Sequence, residues 1–427
     1  MSSIKNSALC LFDDADVQMD ITRTVRVDFY PVHNIVPGAP IEFKIPGTPD
    51  DYIDLGDIRV LLHLKIVKKD KKAWDAATDD VAFINLPVGS CFQDVFLKIA
   101  NTQVEGGQHL YPYAAYLRTL LQFHPSAKRT HLEAWGWHED TPAEFSDLAN
   151  NEGHKARKEE TDGGKIWEVM GPLYLDMTHQ PRYLLPSTNL HLKLLPAKAE
   201  FVLLGKSDNY DYEIVKCELQ VPRISVMDTV LSGHNKGLEK YNAKYILNHV
   251  DLTYFTITKE NKVFIKDGLY LSQVPKLLAL GLIDHDAFNG NIKKNPFDFH
   301  HFNLNKIALY RDGELVPGQI LTPDYDNDHF SRAYNQTMES LHYFNTDDSN
   351  GMTMEHFKNG YNLYIFDLTP DTTAQGPHRH LIRTGSLRLE LGFKKNLTSA
   401  VTVVLFGLID AKLEITKMRD ILVSYAR

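Results

Sequence analysis

Five apolar residues recur at one fixed distance along the chain. Leu55, Ile58, Leu62, Leu64 and Ile66 line up with Leu271, Val274, Leu278, Leu280 and Leu282, each 216 positions further on. Agreement between two halves constrains a fold more than periodicity within one, because it points to a duplicated unit. A second match follows at an offset of 218, pairing Ala115, Tyr116 and Thr119 with Ala333, Tyr334 and Thr337. Downstream, Tyr174-Leu175-Asp176-Met177-Thr178 resembles Ile365-Phe366-Asp367-Leu368-Thr369 at 191, and Asn189 to Leu194 resembles Ser386 to Leu391. Each of the latter strands is followed by an apolar one, Phe201 to Leu204 and Val401 to Leu405. The fall in offset assigns the longer loop after the helix to the first copy. A chain of 427 residues is also too long for one ordinary core.

Within each copy the pattern is that of strands. Ile41 to Ile45, Ile58 to Val67 and Cys91 to Ile99 are alternating or densely apolar and are separated by Pro and Gly turns. Leu309-Tyr310-Arg311, Asp312-Gly313 and Glu314-Leu315-Val316 spell a tight hairpin, since Asp-Gly suits a primed turn. Helical spacing marks one helix over Leu110 to Phe123, and a second is expected over Asp328 to Leu341. The polar stretch Glu139 to Gly164 reads as a long surface loop, and Leu231 to Glu239 as a linker. Each copy then has several strands, a hairpin, a helix, a loop and four strands. About eight strands in one sandwich is the jelly-roll number. The expected fold is therefore all-β: two tandem eight-stranded jelly-roll sandwiches with short inserted helices. The expected limits are an arm over 1–20, the first jelly roll over 21–228, a linker over 229–240 and the second jelly roll over 241–427.

Charge and composition exclude several classes. The formal net charge is -9, so too little positive charge is available to coat nucleic acid, and no strong nucleic-acid binding is expected. The densest basic stretch, Lys68-Lys69-Asp70-Lys71-Lys72, reads as a solvated turn. Three cysteines, Cys10, Cys91 and Cys217, have no spacing that suggests a disulfide framework or a zinc ribbon. Met1 to Asp14 lacks the pattern of a secretory signal, and no apolar run is long enough for a membrane span. The sequons at Asn335 and Asn396 are short enough to arise by chance.

Candidate chemistry is sparse. Asp324-Tyr325-Asp326-Asn327-Asp328 alternates carboxylates as a calcium loop does, but it lacks Gly at the sixth position and has Asn335 at the twelfth. A turn with an N-cap for the following helix accounts for it better. His300-His301 and His378-Arg379-His380 are the tightest histidine groups, and neither has a Glu or Cys beside it at metal-ligand spacing. Adjacent strand residues also point to opposite faces, so His300 and His301 are not expected to converge. No phosphate-binding loop, nucleophile elbow or H-E-x-x-H stretch occurs. No catalytic, cofactor-binding or metal residue is therefore assigned, and no cofactor is expected.

Several longer segments point to a family. Ile307 to Gly318 (IALYRDGELVPG), Asn359 to Asp371 (NGYNLYIFDLTPD) and Arg383 to Leu391 (RTGSLRLEL) resemble stretches of the major capsid proteins of Polinton (Maverick) elements. Pro40 to Gly47, Asp51 to Leu55 and Tyr111 to Tyr116 are similar as well. The resemblance spans nearly the whole chain and is weakest over Ala134 to Gly164 and Ser225 to Tyr241. It implies a double jelly-roll structural protein, not an enzyme, that trimerises into pseudo-hexameric capsomers tiling an icosahedral shell. It also implies neighbouring capsomers, penton and minor capsid proteins as partners, a place in the virion capsid, and synthesis in the host cytoplasm. The alternative is a tandem jelly-roll hydrolase acting on glycans or glycoproteins, which would need acids converging in a cleft between the sandwiches.

Overall fold

The computed structural model describes residues 18–75, 78–270, 273–376 and 378–424. Cys10, Leu271 and most of the expected N-terminal arm lie outside the described residues. The strands of the first sandwich are β1 (Ile21–Phe29), β2 (Ile41–Ile45), β3 (Arg59–Lys68), β4 (Phe92–Ile99), β5 (Thr102–Glu105), β6 (Ile166–Pro172), β7 (Leu190–Pro196) and β8 (Tyr210–Val226). Those of the second are β9 (Ala243–Ile257), β10 (Val263–Asp267), β11 (Leu277–Asp284), β12 (Leu304–Arg311), β13 (Glu314–Leu321), β14 (Leu363–Asp367), β15 (Leu387–Phe393) and β16 (Val401–Ile415). Among the described residues four helices reach ten residues or more: α1 (Tyr111–Gln122), α2 (Glu152–Thr161), α3 (Asp228–Leu238) and α4 (Ser331–Ser340).

The two sandwiches have one topology. In the first, the main strands of the sheets run β1-β8-β3-β6, with the short Asp51–Ile53 added on β8, and β2-β7-β4-β5; in the second, β9-β16-β11-β14, with the short Ile421–Ser424 added on β16, and β10-β15-β12-β13. All of these pairings are antiparallel, and each unit has the eight-stranded jelly-roll order. The chain is a double jelly roll. Leu62 on β3 lies opposite Cys217, and Leu278 on β11 lies opposite Gly407, so the residues matched at 216 occupy equivalent places. Alternation produces this. Val60, Leu62, Leu64 and Ile66 are buried between the sheets of the first unit, as are Leu278, Leu280 and Leu282 in the second. At the Asp-Gly hairpin, Asp312 and Gly313 have φ of 52° and 86°, the left-handed pair that a type I′ turn needs.

The structure corrects several expectations. Val169 pairs with Leu62 and Phe366 with Leu278, so Val169 matches Phe366, and Tyr174 does not match Ile365. Tyr174 lies beyond β6, which ends at Pro172. Phe201 to Leu204 is no partner of Val401 to Leu405. It is a helical turn, Ala199–Val202, leading into a three-residue strand that pairs with Val81–Phe83. The true counterpart of β16 is β8. The apolar strand at Val401 to Leu405 is part of one continuous strand, β16, which runs on to Ile415 and is followed by a short strand, Ile421–Ser424, that pairs with its end.

Two segments judged by their polarity also differ. The stretch over 231–239 is mostly helix α3, whose Gly233 and Gly237 have open space around them and so carry no packing requirement. Residues 139–164 are not a surface loop. They contain α2, and Asp140, Asn151, His154, Arg157 and Thr161 are buried there. A polar side chain can be buried when its partners are buried with it, and composition does not show those partners.

Candidate functional site

The first unit's helix and insertion build a seam against the second unit. Helix α1 is buried over almost its whole length. Tyr116 stacks on Phe297 at 4.0 Å between ring centroids and on Trp137 at 5.4 Å. Tyr113 packs against Phe288 and Phe297, and Phe145 meets Tyr361 edge-on. Beside these rings lies a buried polar knot. Asp140 accepts hydrogen bonds from Arg157 (2.6 Å), Asn151 (2.9 Å) and, across the seam, Asn295 (3.2 Å). Arg157 also donates to the carbonyls of Phe83 and His138. Backbone bonds from Ala143 to Asn359 and from Gly205 to Ile292 complete the joint. Aromatic area of this kind, with paired charges, is the composition of a core rather than of a mobile domain contact.

A second cluster lines a cleft of about 310 Å³ further along the seam, where Asp94, Glu105, Asp176 and Asp251 all contribute. The sequence alone could not bring these carboxylates together. Most are engaged by protein donors. Asp94 accepts from the amides of Val95, Gly107 and His109. Glu105 accepts from the amides of Asp176 (2.6 Å) and Met177 (2.8 Å). Asp176 is held by Arg118 at 2.5 Å, by His249 at 2.6 Å and by the amide of Val250. Burial, followed by the neighbouring Asp176 charge, pushes the Glu105 carboxyl up to about 8, against the pull of the two amides. Burial would also raise Asp176, but His249 and Arg118 hold it below the usual carboxylate range. A hydrolytic pair needs one acid and one base turned toward a substrate. Glu105 and Asp176 instead turn their oxygens onto the loop and strand they join, which makes them a brace between the sandwiches.

The other residues singled out by the sequence are dispersed. Asp324 caps the short turn Tyr325–Asn327, while helix α4 begins after Phe330 with no side-chain cap, so the expected N-cap is placed elsewhere. Lys394 reaches Asp324 at 3.1 Å and Asp326 at 2.7 Å, occupying the place between the carboxylates. His300 pairs with Asp298, whereas His301 stacks on Tyr325 and accepts from the amide of Asn303. His378 and His380 do converge, and Asp371 joins them. Lys68 is not a solvated surface charge, because it pairs with the buried Asp79 at 2.9 Å. Cys91 and Cys217 are buried free thiols whose burial raises them far above the range of a reactive thiolate. Among the described residues no helix is long and apolar enough to cross a membrane.

Some apolar side chains face outward. Tyr30, Val32 and Val36 stand on the connection after β1, and Val263 and Ile265 stand on the edge strand β10. A row of this kind at a sheet edge is suited to covering by another chain.

No family model matches the chain. A Caenorhabditis elegans sequence, "Uncharacterized protein F54H12.2", is 28% identical over 301 residues, covering 67% of this chain and 68% of its own length. Solved structures match far more of the fold. A chain from the cryo-EM structure of the Sputnik virophage aligns with a TM-score of 0.65 at 11% identity, covering 99% of this chain and 93% of its own. The mavirus major capsid protein aligns at 0.58 and 11% identity, covering 98% and 93%. The Faustovirus major capsid protein aligns at 0.57 and 9% identity, covering 96% and 93%. At such identities the likeness is one of fold, and it extends over both jelly rolls and the joint between them.

Proposed function

We propose that this chain is a major capsid protein of the Polinton (Maverick) type, a structural component and not an enzyme. Three chains associate into a pseudo-hexameric capsomer, and capsomers tile an icosahedral shell in the virion, together with penton and minor capsid proteins. Synthesis takes place in the host cytoplasm. The carrying observation is the match to capsid proteins along nearly the full length of both partners, seam included. Two units of one topology support it, because a threefold assembly of such chains presents six similar corners. The reading divides the chain at 21–228, 229–240 and 241–427. Outward apolar residues such as Tyr30, Val36, Val263 and Ile265 are suitable for the chain–chain contacts.

The test is the mass and shape of the purified protein. A particle of three 48.7 kDa chains by light scattering, with roughly hexagonal capsomers in negative stain, is expected. A compact monomer at micromolar concentration would overturn the proposal.

A further inference from the structure

The long connection between β14 and β15 folds back on itself, and its two arms are held separately. The first arm is fixed by Asp367, which accepts from the amides of Thr369 and Ala374. The second is fixed by Asp410 on β16, which accepts from the amide of His380 at 2.8 Å and is itself paired with Lys276. Between the arms three donor side chains converge. Asp371 comes from the first, and His378 and His380 from the second. Both histidines turn Nε2 inward: His378 lies 3.1 Å from one Asp371 oxygen, and His380 lies 3.1 Å from the other. One donor atom from each of the three residues falls within 4.8 Å of the others. The Thr373 hydroxyl stands 3.3 Å and 3.2 Å from the two Nε2 atoms.

We propose that Asp371, His378 and His380 form a binding site for a divalent transition metal, zinc foremost. Ligand bonds of about 2.0–2.1 Å in tetrahedral geometry place neighbouring donors about 3.3 Å apart, close to the carboxylate–imidazole spacing here. Two imidazoles and one carboxylate suit zinc and its neighbours, whereas calcium and magnesium prefer oxygen ligands throughout. An outer support is also in place. His380 is largely buried (11% exposed), and its Nδ1 has no hydrogen bond but faces an Asp410 oxygen at 4.0 Å. A small ring rotation would give the carboxylate–histidine–metal arrangement that orients such ligands. The sequence did not show this because the third ligand lies seven residues before His378, across a turn. The ion would cross-link the two arms and fix the exposed tip formed by Leu381 and Ile382, of which Leu381 is 90% exposed.

The test is calorimetric titration of zinc chloride into the metal-free full chain, set beside Asp371→Asn and the double variant His378→Ala/His380→Ala. One site per chain is expected, weakened at least tenfold by Asp371→Asn and abolished in the double variant, with hydrogen exchange across 371–382 slowed only when zinc is bound to the unmodified chain. Asp371 is half-exposed, so metal-free Asp371→Asn should melt as the parent does, and that matched melt shows that its loss of affinity belongs to the site. Undiminished zinc binding in the double variant, no zinc binding in the parent, or a response to calcium and magnesium but not zinc would each overturn the proposal. None of these outcomes depends on whether the chain assembles into shells.

Discussion

Strands β3 and β11 hold the same position in the two sandwiches, and their inward residues are the same in kind. Their outward residues differ. At the shared offset of 216, Leu61, His63, Lys65 and Val67 of the first unit correspond to Leu277, Ala279, Gly281 and Ile283 of the second. The first set is partly exposed and the second is buried. One sheet thus keeps a face for solvent or for other chains, while its counterpart is covered on its inward face by the facing sheet and on its outward face by other parts of the same chain. The covering is close. A side-chain carbon at Gly281 would come within 2.4 Å of the Phe299 ring and 2.8 Å of Leu363. Helix α4 closes the same sheet's edge, with Thr337 and Ser340 donating to the carbonyls of Leu363 and Ile365 on β14. Duplication supplied two equal sheets, and packing has since given them different surroundings.

The contrast can be broken most severely at the seam itself. Arg157→Ala leaves Asp140 buried without its cation, and removing one member of a buried pair costs about 3–5 kcal/mol. Phe297→Ala removes the ring under Tyr116 and should cost a similar amount, about 3–5 kcal/mol. Both are read from denaturant unfolding, and a loss below about 1 kcal/mol would show the seam to be far looser than its geometry. Next in size is a matched pair of substitutions. Gly281→Val should cost about 1–3 kcal/mol by overpacking. Lys65→Val, at the equivalent position on the open face, should stay within about 0.5 kcal/mol. Equal costs would mean that the two outward faces are not different environments.

The brace at Glu105 adds a dependence on pH. Its carboxyl is raised in the folded chain to about 8, so between the ordinary glutamate value and about 8 the folded state holds more protons than the unfolded one. Stability contributed by the protonated group is therefore lost as pH rises through that window, with a slope of at most about 1.4 kcal/mol per pH unit. Glu105→Gln should flatten this slope between pH 5 and 9 (roughly the same window), and an unchanged slope would assign it to other groups. The smallest effect is expected on the surface. Lys394→Ala should leave the melting midpoint unaltered, and calcium should not shift the midpoint of the parent chain, since the Lys394 ammonium bridges Asp324 and Asp326.

Legibility followed the same division. Strand alternation, the repeat at 216 and the Asp-Gly hairpin could be read because each is a local pattern with a local cause. The continuous apolar run Leu277 to Ile283 also signals a sheet buried on both faces, once it is set beside the alternating β3. What covers that sheet was illegible. Asp140, Asn151 and Arg157 look like solvent-facing residues until Phe83, His138 and Asn295 are brought to them by tertiary contact. Phe201 to Leu204 resembles the counterpart of Val401 to Leu405 because an apolar run beside a matched strand looks like the next strand, and only the pairing of β8 with β3 decides the matter. Asp371 was separated from His378 and His380 for a related reason, since a turn removes the spacing by which ligands are recognised.

The stack of Tyr116 on Phe297 also sets a schedule. The two rings are made 181 residues apart, so at about 5–20 residues per second a ribosome delivers the second about 10–40 s after the first. During that interval the first sandwich can close its own sheets while Tyr113, Tyr116 and Phe145 still await their covers. A chain ending after residue 240 should accordingly bind an apolar-surface dye that the full chain excludes. The joint between the sandwiches is thus also the period of greatest risk in the protein's synthesis, when a nascent chain is most open to chaperones and to its neighbours on the same message.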